Sequence, residues 1–258
     1  MKYLVFIFVI FISLNQASTL SIAAVAECPY YCESSSNDKG FIVDALTHVF
    51  NKAGYDISYT SLDSRDKVIK GLTSGKFDLV IGVDYEHNDL IVSKKPLAYK
   101  HNVIVVPQYS KWKYDSEESL RRLKLAVIKE LDYSIKLTEH IRKYKYDDSK
   151  IQVESGHLAR KHNLNKLRFD KVNALIDDRV SLRYFYFKKK KPFAFKIAYT
   201  SPPKAINTSF SAKNYRSFKY TEILHRGMKK LKKNSKMKEI LSKYGLNTAY
   251  ISPLSKGH

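Results

Sequence analysis

The stretch GFIVDALTHVFNKAGYDISYTSLDSRDKVIKGLTSGKFDLVIGV, residues 40–83, has the pattern of two helices and two strands in alternation. Apolar residues recur at helical spacing over residues 41–53, and a glycine follows where such a helix would end. A strand at residues 56–61 leads to a second helix, for which Ser64 is a suitable N-cap. The stretch closes on residues 77–83, an apolar run typical of a strand that a parallel sheet buries on both faces. This alternation predicts an α/β protein.

The same alternation continues on both sides of the stretch. A strand at residues 21–26 precedes it, and a strand at residues 102–107 follows. The later elements are strands at residues 124–128, 151–154, 172–176, 193–199 and 208–212, and helices at residues 117–122, 133–144, 157–168 and 220–244. We therefore expect two α/β lobes, each a mainly parallel sheet flanked by helices, with residues 18–102 and 205–258 in lobe 1 and residues 103–204 in lobe 2. Since no low-complexity linker separates them, we expect hinge strands between the lobes.

The first 17 residues have the order of a secretory signal peptide. Lys2 is followed by an apolar run over residues 3–14 and then by small and polar residues. Spanning a bilayer requires about 20 apolar residues, so the run is too short for a membrane helix. We expect cleavage near Ala17, although residues 24–26 offer a second A-x-A site, and we expect a periplasmic mature protein.

The chain is strongly basic, with a formal net charge of +21. Such a charge is compatible with nucleic acid, anionic lipid or acidic substrates as partners. Lysines outnumber arginines 36 to 10, however, whereas recognition of phosphates and bases depends on arginine. We therefore expect no nucleic-acid partner. Because the strand-end loops are acidic, we expect a basic outer face and a less basic cleft.

Cys28 and Cys32 are the only cysteines in the chain. A thiol oxidoreductase requires two residues between its cysteines and a helix that begins at the first one, whereas three residues intervene here. A metal site requires more ligands nearby, and no histidine lies close in sequence. In an exported protein a disulfide is the default for such a pair. We expect it to order Tyr30 and Tyr31 for ligand contact.

Three stretches resemble family 3 of the bacterial extracellular solute-binding proteins. The first is GFIVDALTHVFNKAGYDISY with LTSGKFDLVIGV, which resembles the N-terminal half of the family. VNALIDDRVSLRYF resembles its V-D-A-hydrophobic-x-x-D segment, and MKKLKKNSKMKEILSKYGL resembles its closing helices. The resemblance covers most of residues 20–247 and implies a type II periplasmic-binding-protein fold. It also implies a clamp that closes on a small-molecule solute and presents it to an ABC permease or a membrane sensor. We expect a monomer.

The candidate binding residues follow the strands, because ligands of open parallel sheets lie beyond the carboxyl ends of the strands. Six residues stand in these loops: Tyr30, Tyr31, Asp84, Tyr85, Asp132 and Tyr133. The last two open a helix whose free N–H groups are suited to an anion. The alternative for the loop acids is that they face solvent or pair with lysines.

The resemblance adds Asp178 and Arg65. Asp178 matches the position where amino-acid-binding members hold the ligand ammonium, and a salt bridge with Arg179 or Arg183 is the alternative. Arg65 matches an arginine of related members, with a surface helix terminus as the alternative. The sequence departs from the family after the third strand, where residues 86–88 lack the arginine that grips a ligand carboxylate. An ordinary α-amino acid is therefore disfavoured, and the acids and tyrosines favour a cationic or amine-bearing ligand.

We therefore expect a periplasmic solute-binding protein for a small polar, amine-bearing solute, not an enzyme, with no cofactor and no metal. The first alternative is a periplasmic enzyme on the same fold, because the resemblance extends to cyclohexadienyl dehydratase. The second is a basic surface-binding or scaffold protein.

Overall fold

The computed structural model describes residues 18–83 and 89–253. Its strands are β1 (Ser18–Val25), β2 (Tyr55–Leu62), β3 (Leu79–Ile81), β4 (Leu90–Val92), β5 (Ala98–Lys100), β6 (Asn102–Pro107), β7 (Leu125–Ile128), β8 (Ile151–Glu154), β9 (Ala174–Asp178), β10 (Phe195–Thr200), β11 (Lys204–Ile206) and β12 (Thr208–Ser211). Its helices are α1 (Phe41–Asn51), α2 (Arg65–Thr73), α3 (Glu117–Leu120), α4 (Ile135–Tyr144), α5 (Ala159–Arg168), α6 (Arg179–Lys189), α7 (Ser217–Lys233), α8 (Ser235–Ser242) and α9 (Thr248–Ile251).

The first sheet has the strand order β2-β1-β3-β12-β4. β1 pairs in parallel with β2 and β3, and β12 runs antiparallel between β3 and β4. Four of the five strands therefore run in one direction. Alternate residues of β1 face opposite sides of the sheet, with Leu20, Ile22 and Ala24 in the main core and Ala23 in a second cluster under α2.

The second sheet has the order β10-β6-β9-β7-β8, and again four of its five strands run in one direction because only β6 is reversed. Val103 and Val105 of β6 enter one apolar cluster, while Ile104 and Val106 enter the cluster on the opposite face. Burial on both faces explains why β6 is a continuous apolar run.

β5 and β11 form a separate antiparallel pair through which the chain passes between the sheets. The chain leaves the first sheet after β4, passes through β5 and enters β6, and it returns from β10 through β11 to β12. These are the expected hinge strands. The fold is the predicted two-lobed α/β type, although the residue bounds of the lobes remain a prediction.

Several elements differ from those predicted, among them the short strand β4 and the helix α9, which were not predicted. No helix was predicted between residues 176 and 193, whereas α6 begins directly after β9, with Asp178 as its N-cap. The single helix expected over residues 220–244 is two helices, because Asn234 adopts an extended conformation and caps α8. The expected signal peptide lies outside the described residues. None of the helices within those residues combines the length and apolar character needed to cross a membrane.

Candidate binding site in the cleft between the sheets

A cleft of about 790 Å³ lies between the two sheets. Its walls come from the segments that follow β1, β2 and β3 in the first sheet and from those that follow β7, β8 and β9 in the second. Both sheets therefore present the carboxyl ends of parallel strands to the cleft, which is the predicted position for a ligand. The hinge pair contributes Lys100 and Lys204 to the lining.

Charged side chains of both signs line the cleft. On the first-sheet side they are Glu27, Glu33, Asp63 and Arg65, and on the second-sheet side they are Glu130, Asp132 and Arg160. The expected cleft residues Tyr31, Arg65 and Asp132 are among the lining residues, whereas Tyr30, Tyr133 and Asp178 are not. Asp84 and Tyr85 lie outside the described residues.

A disulfide between Cys28 and Cys32 closes the loop after β1, with 4.4 Å between their Cα atoms. Within this loop Tyr31 N donates to Glu27 O at 3.1 Å, so the loop is a tight turn. Both cysteines line the cleft. The loop also packs against the start of α1, where Gly40 has a φ of +104°, and a Cβ there would lie 2.5 Å from Tyr30 O. A glycine is therefore required at this contact.

The two tyrosines of the loop have different surroundings. Tyr31 is 4% exposed and lines the cleft, and its hydroxyl lies against Gly82 at the end of β3. A Cβ at residue 82, where φ is +74°, would lie 2.6 Å from that hydroxyl oxygen. Tyr30 is fully buried, and its hydroxyl donates to Asp178 Oδ2 at 3.0 Å. Of the two, Tyr31 is therefore placed to touch a ligand, and Tyr30 is not.

Asp178 lies beneath the cleft and is 2% exposed. Its Oδ1 caps α6 by accepting from Ser181 N at 2.7 Å, and its Oδ2 accepts from Tyr30. Burial, with the nearby Glu27 carboxylate, raises the pKa of Asp178 to about 6. The arginines proposed as alternative partners lie elsewhere: Arg183 donates to Gly245 O, and the Arg179 guanidinium lies over the Tyr250 ring. Asp178 is thus a buried helix cap instead of a solvated strand-end carboxylate.

The neighbouring Asp177 has a different partner. The Arg160 guanidinium donates from Nε to Asp177 Oδ2 at 2.7 Å and from one terminal nitrogen to Oδ1 at 2.8 Å. Asp177 is 1% exposed, whereas Arg160 reaches the cleft lining. This bidentate ion pair fixes the start of α5 against β9.

One N–H group at the N-terminus of α4 has a partner within the chain. Asn102 Oδ1 accepts from Ser134 N at 2.8 Å, which occupies one of the N–H groups that were expected to hold an anion. The side chain of Tyr133 points back toward the end of β7, where its hydroxyl accepts from Ile128 N and donates to Ile128 O. Asp132 remains at the cleft and forms an ion pair with Lys204.

Lys100 is a cleft residue that the sequence analysis did not identify. Its ammonium forms an ion pair with Glu27 and lies 5.5 Å and 5.6 Å from the ring centroids of Tyr30 and Tyr31. Burial lowers the pKa of Lys100. The electrostatic effects of Tyr31, Glu27 and Asp178 outweigh burial, so the pKa lies above its ordinary value. Its contacts are long-range, so no local pattern separates it from the other lysines.

The placement of the basic residues agrees with a less basic cleft. The lysine cluster near the end of α7 lies outside the cleft lining: Lys229, Lys230, Lys232 and Lys233. Within residues 18–83 and 89–253, no three His, Cys, Asp or Glu side chains gather as a metal site would require.

A known protein family matches most of this chain. The model of the bacterial extracellular solute-binding proteins, family 3, matches residues 21–247. No curated protein matches the chain in sequence.

Solved structures share the fold at low identity. One is the second substrate-binding domain of a protein described as an amino acid ABC transporter, from Streptococcus pneumoniae, with 20% identity and a TM-score of 0.63 over 87% of this chain and 99% of that one. The unliganded, open L-cystine solute receptor of Neisseria gonorrhoeae has 17% identity and a TM-score of 0.62 over 90% and 94% of the two chains. An ancestral amino-acid-binding protein, a precursor of cyclohexadienyl dehydratase, has 17% identity and a TM-score of 0.58 over 88% and 95%.

Proposed function

This chain belongs to family 3 of the bacterial extracellular solute-binding proteins, and on that premise we propose that it binds a small polar, amine-bearing solute in the cleft between its sheets. We infer that it acts in the periplasm and presents the solute to an ABC permease or a membrane sensor. The observation that carries the proposal is the pair of oppositely charged side chains on the two walls, Arg65 and Glu130.

Glu130 is the carboxylate best placed for a ligand amine. Among the described residues, the other acids near the cleft have cationic or hydroxyl partners: Glu27 with Lys100, Asp132 with Lys204, Asp177 with Arg160, Asp178 with Tyr30, Asp63 with Lys67 and Glu33 with Ser61. The contact of Glu130 is a long hydrogen bond at 3.3 Å from Gly156 N. An approaching ammonium would therefore find its oxygens accessible and without a competing cation among the described residues.

Arg65 faces the cleft from the opposite wall, at the first residue of α2. It is exposed, and its guanidinium donates to Gly82 O at 3.3 Å. Most of its five donors remain for an anionic or carbonyl group of the solute. A solute that carries an amine at one end and an acceptor at the other would bridge Glu130 and Arg65 and hold the walls together, as closure by rigid-body motion requires.

The rest of the cleft suits the carbon skeleton of such a solute. Its volume is within the range of about 300 to 1,000 Å³ that is usual for small-molecule sites. Apolar side chains line both walls, with Val25, Leu62 and Val83 on the first side and Ile128 and Leu131 on the second. The aromatic surface among the described lining residues comes from Tyr31.

A binding role, without chemical conversion, follows from how the candidate acids and bases are used. The two buried acids beneath the cleft act as structural groups, because Asp178 caps α6 and Asp177 forms an ion pair with Arg160. Arg65 and Glu130 lie at the two walls, where they are suited to grip the ends of a solute. We therefore propose a binding protein and not a dehydratase.

A thermal-shift screen of the purified protein tests the proposal. The compounds are monoamines, diamines, amino acids, short peptides and sugars, and a ligand at about 100 times its dissociation constant adds about 2.7 kcal/mol of stability. We expect hits among amine-bearing compounds and their recovery unchanged, as judged by mass spectrometry. Hits confined to neutral sugars would contradict the amine assignment, and conversion of a hit would contradict the binding role.

A further inference from the structure

Three side chains, Glu27, Tyr30 and Tyr31, face the ammonium of Lys100, and Asp178 lies behind Tyr30; we call these four residues the Lys100 cage. Glu27 forms the ion pair with Lys100, and the two tyrosine rings lie within 5.6 Å of the ammonium. Asp178 joins the cage through the hydrogen bond from Tyr30. The side chain of Lys100 is 12% exposed, so its charge is nearly enclosed.

The cage has the composition of an ammonium-binding site. Aromatic faces attract a cation through their quadrupoles, and the attraction is stronger where water is excluded. Burying Asp178 near Glu27 is costly while both acids are ionised, and the Lys100 ammonium offsets that cost because it acts on both carboxylates. The cage also adjoins the ligand cleft, because Glu27, Tyr31 and Lys100 itself all line it.

We propose that the Lys100 cage is a binding site for a primary alkylammonium group, and that the chain occupies this site with its own Lys100. The tethered ammonium excludes the amine of a solute from the cage, which leaves Glu130 on the opposite wall to receive that amine. Lys100 is thus a specificity-determining residue. The occupation of the cage depends only on contacts within the chain, so it is tested without knowledge of the natural solute.

Chemical rescue of a truncated lysine tests the proposal. Lys100→Ala removes three methylene carbons and the ammonium, which together correspond to propylammonium. We expect a lower unfolding midpoint for Lys100→Ala than for the wild type. We also expect propylammonium chloride to raise the midpoint of the variant saturably, by about 3 °C or more, while it shifts the wild type by less than about 1 °C.

The controls separate charge from volume and from ionic strength. Potassium chloride at equal concentration supplies the ions without the amine, and 1-propanol supplies the volume without the charge. Lys204 provides a matched variant, because it lies opposite Lys100 in the β5–β11 pair and forms an ion pair with Asp132. Its side chain is 43% exposed, so its charge is not enclosed. We expect no rescue of Lys204→Ala by propylammonium. Rescue of Lys100→Ala by 1-propanol, or an equal shift of the wild type, would overturn the proposal.

A second pair of variants applies if Lys100→Ala does not fold. Lys100→Met keeps the volume and removes the charge, and it leaves Glu27 without its partner. We expect Lys100→Met/Glu27→Gln to unfold at a higher midpoint than Lys100→Met, because the second substitution removes the unpaired carboxylate. A single variant as stable as the double variant would show that the cage does not require a cation.

Discussion

The hydroxyl of Tyr30 donates a hydrogen bond to Asp178 across 148 residues of sequence. Tyr30 belongs to the disulfide-closed loop after a strand of the first sheet, and Asp178 ends a strand of the second sheet and caps the helix that follows. Ser181 strengthens the same junction, because its hydroxyl donates to Cys28 O at 2.9 Å. The floor of the cleft is therefore a buried, hydrogen-bonded contact between its two sides.

The pH dependence of stability reports on Asp178. Its folded pKa of about 6 lies above the value of 3.8 for an unperturbed aspartate. Between about pH 4 and pH 6 the folded protein therefore binds more protons at this group than the unfolded chain does. The contribution of this group to the free energy of unfolding is largest below that range and falls as the pH rises through it.

Asp178→Asn removes this pH dependence, because an amide keeps the helix cap and cannot ionise. We expect the unfolding free energy of the variant relative to the wild type to rise by about 2 to 4 kcal/mol between pH 4 and pH 7. Urea unfolding at unit pH steps measures this difference. Parallel pH profiles for the two proteins would show that Asp178 titrates normally.

The ion pair beneath α5 makes Arg160 important for stability. Arg160→Ala leaves Asp177 buried without its partner, and we expect a loss of about 3 to 5 kcal/mol in unfolding free energy. Arg142 in α4 is an exposed arginine, so Arg142→Ala is the matched control, with an expected change within about 0.5 kcal/mol. Similar losses in the two variants would refute the role given to the pair.

Much of this fold was predictable because its periodicity is local. β6 and β8 lie at the predicted residues, since a doubly buried strand and a short strand between two helices leave clear patterns. The helix α6 was missed because its sequence, RVSLRYFYFKK, contains a run of four aromatic residues, which are enriched in strands, and follows β9 without a turn. The preference of aspartate for N-caps was the available signal at residue 178.

The candidate site was harder to predict than the fold. Tyr31 and Asp132 were predicted at the cleft because they follow strands whose ends converge there, and Arg65 was predicted from the family resemblance; all three line the cleft. Lys100, Arg160 and the buried state of Asp178 depend on pairs that are distant in sequence, such as Lys100 with Glu27. A single sequence contains no local trace of such pairs.

The contact of Gly82 with Tyr31 gives a test of the cleft wall. In Gly82→Ala the new Cβ meets the Tyr31 hydroxyl and the residue is held at positive φ, so we expect a loss of about 2 to 3 kcal/mol. Gly156 is the control, because it has a similar φ of +79° and nothing within 4 Å of the added carbon. Gly156→Ala should lose only about 1 to 2 kcal/mol. Chemical unfolding compares the two, and equal losses would mean that Tyr31 does not press on residue 82.

The disulfide is expected to contribute modestly, because it closes a very short loop. Replacement of both Cys28 and Cys32 by serine should lower the unfolding free energy by about 2 kcal/mol. Urea unfolding of the variant gives the value. Intact mass after alkylation, with and without reductant, tests the bond itself, and two thiols alkylated without reductant would contradict the pairing.

Calorimetric titration of the best amine-bearing hit into the wild type, Glu130→Gln and Glu139→Gln tests whether Glu130 receives the amine of the solute. Glu139 lies exposed on α4 and controls for the loss of one negative charge from the same side of the molecule. We expect Glu130→Gln to lose about 2 to 5 kcal/mol of binding free energy, because the ligand ammonium loses its partner in the closed cleft. We expect wild-type affinity for Glu139→Gln. Wild-type affinity for Glu130→Gln would contradict the placement of the solute amine.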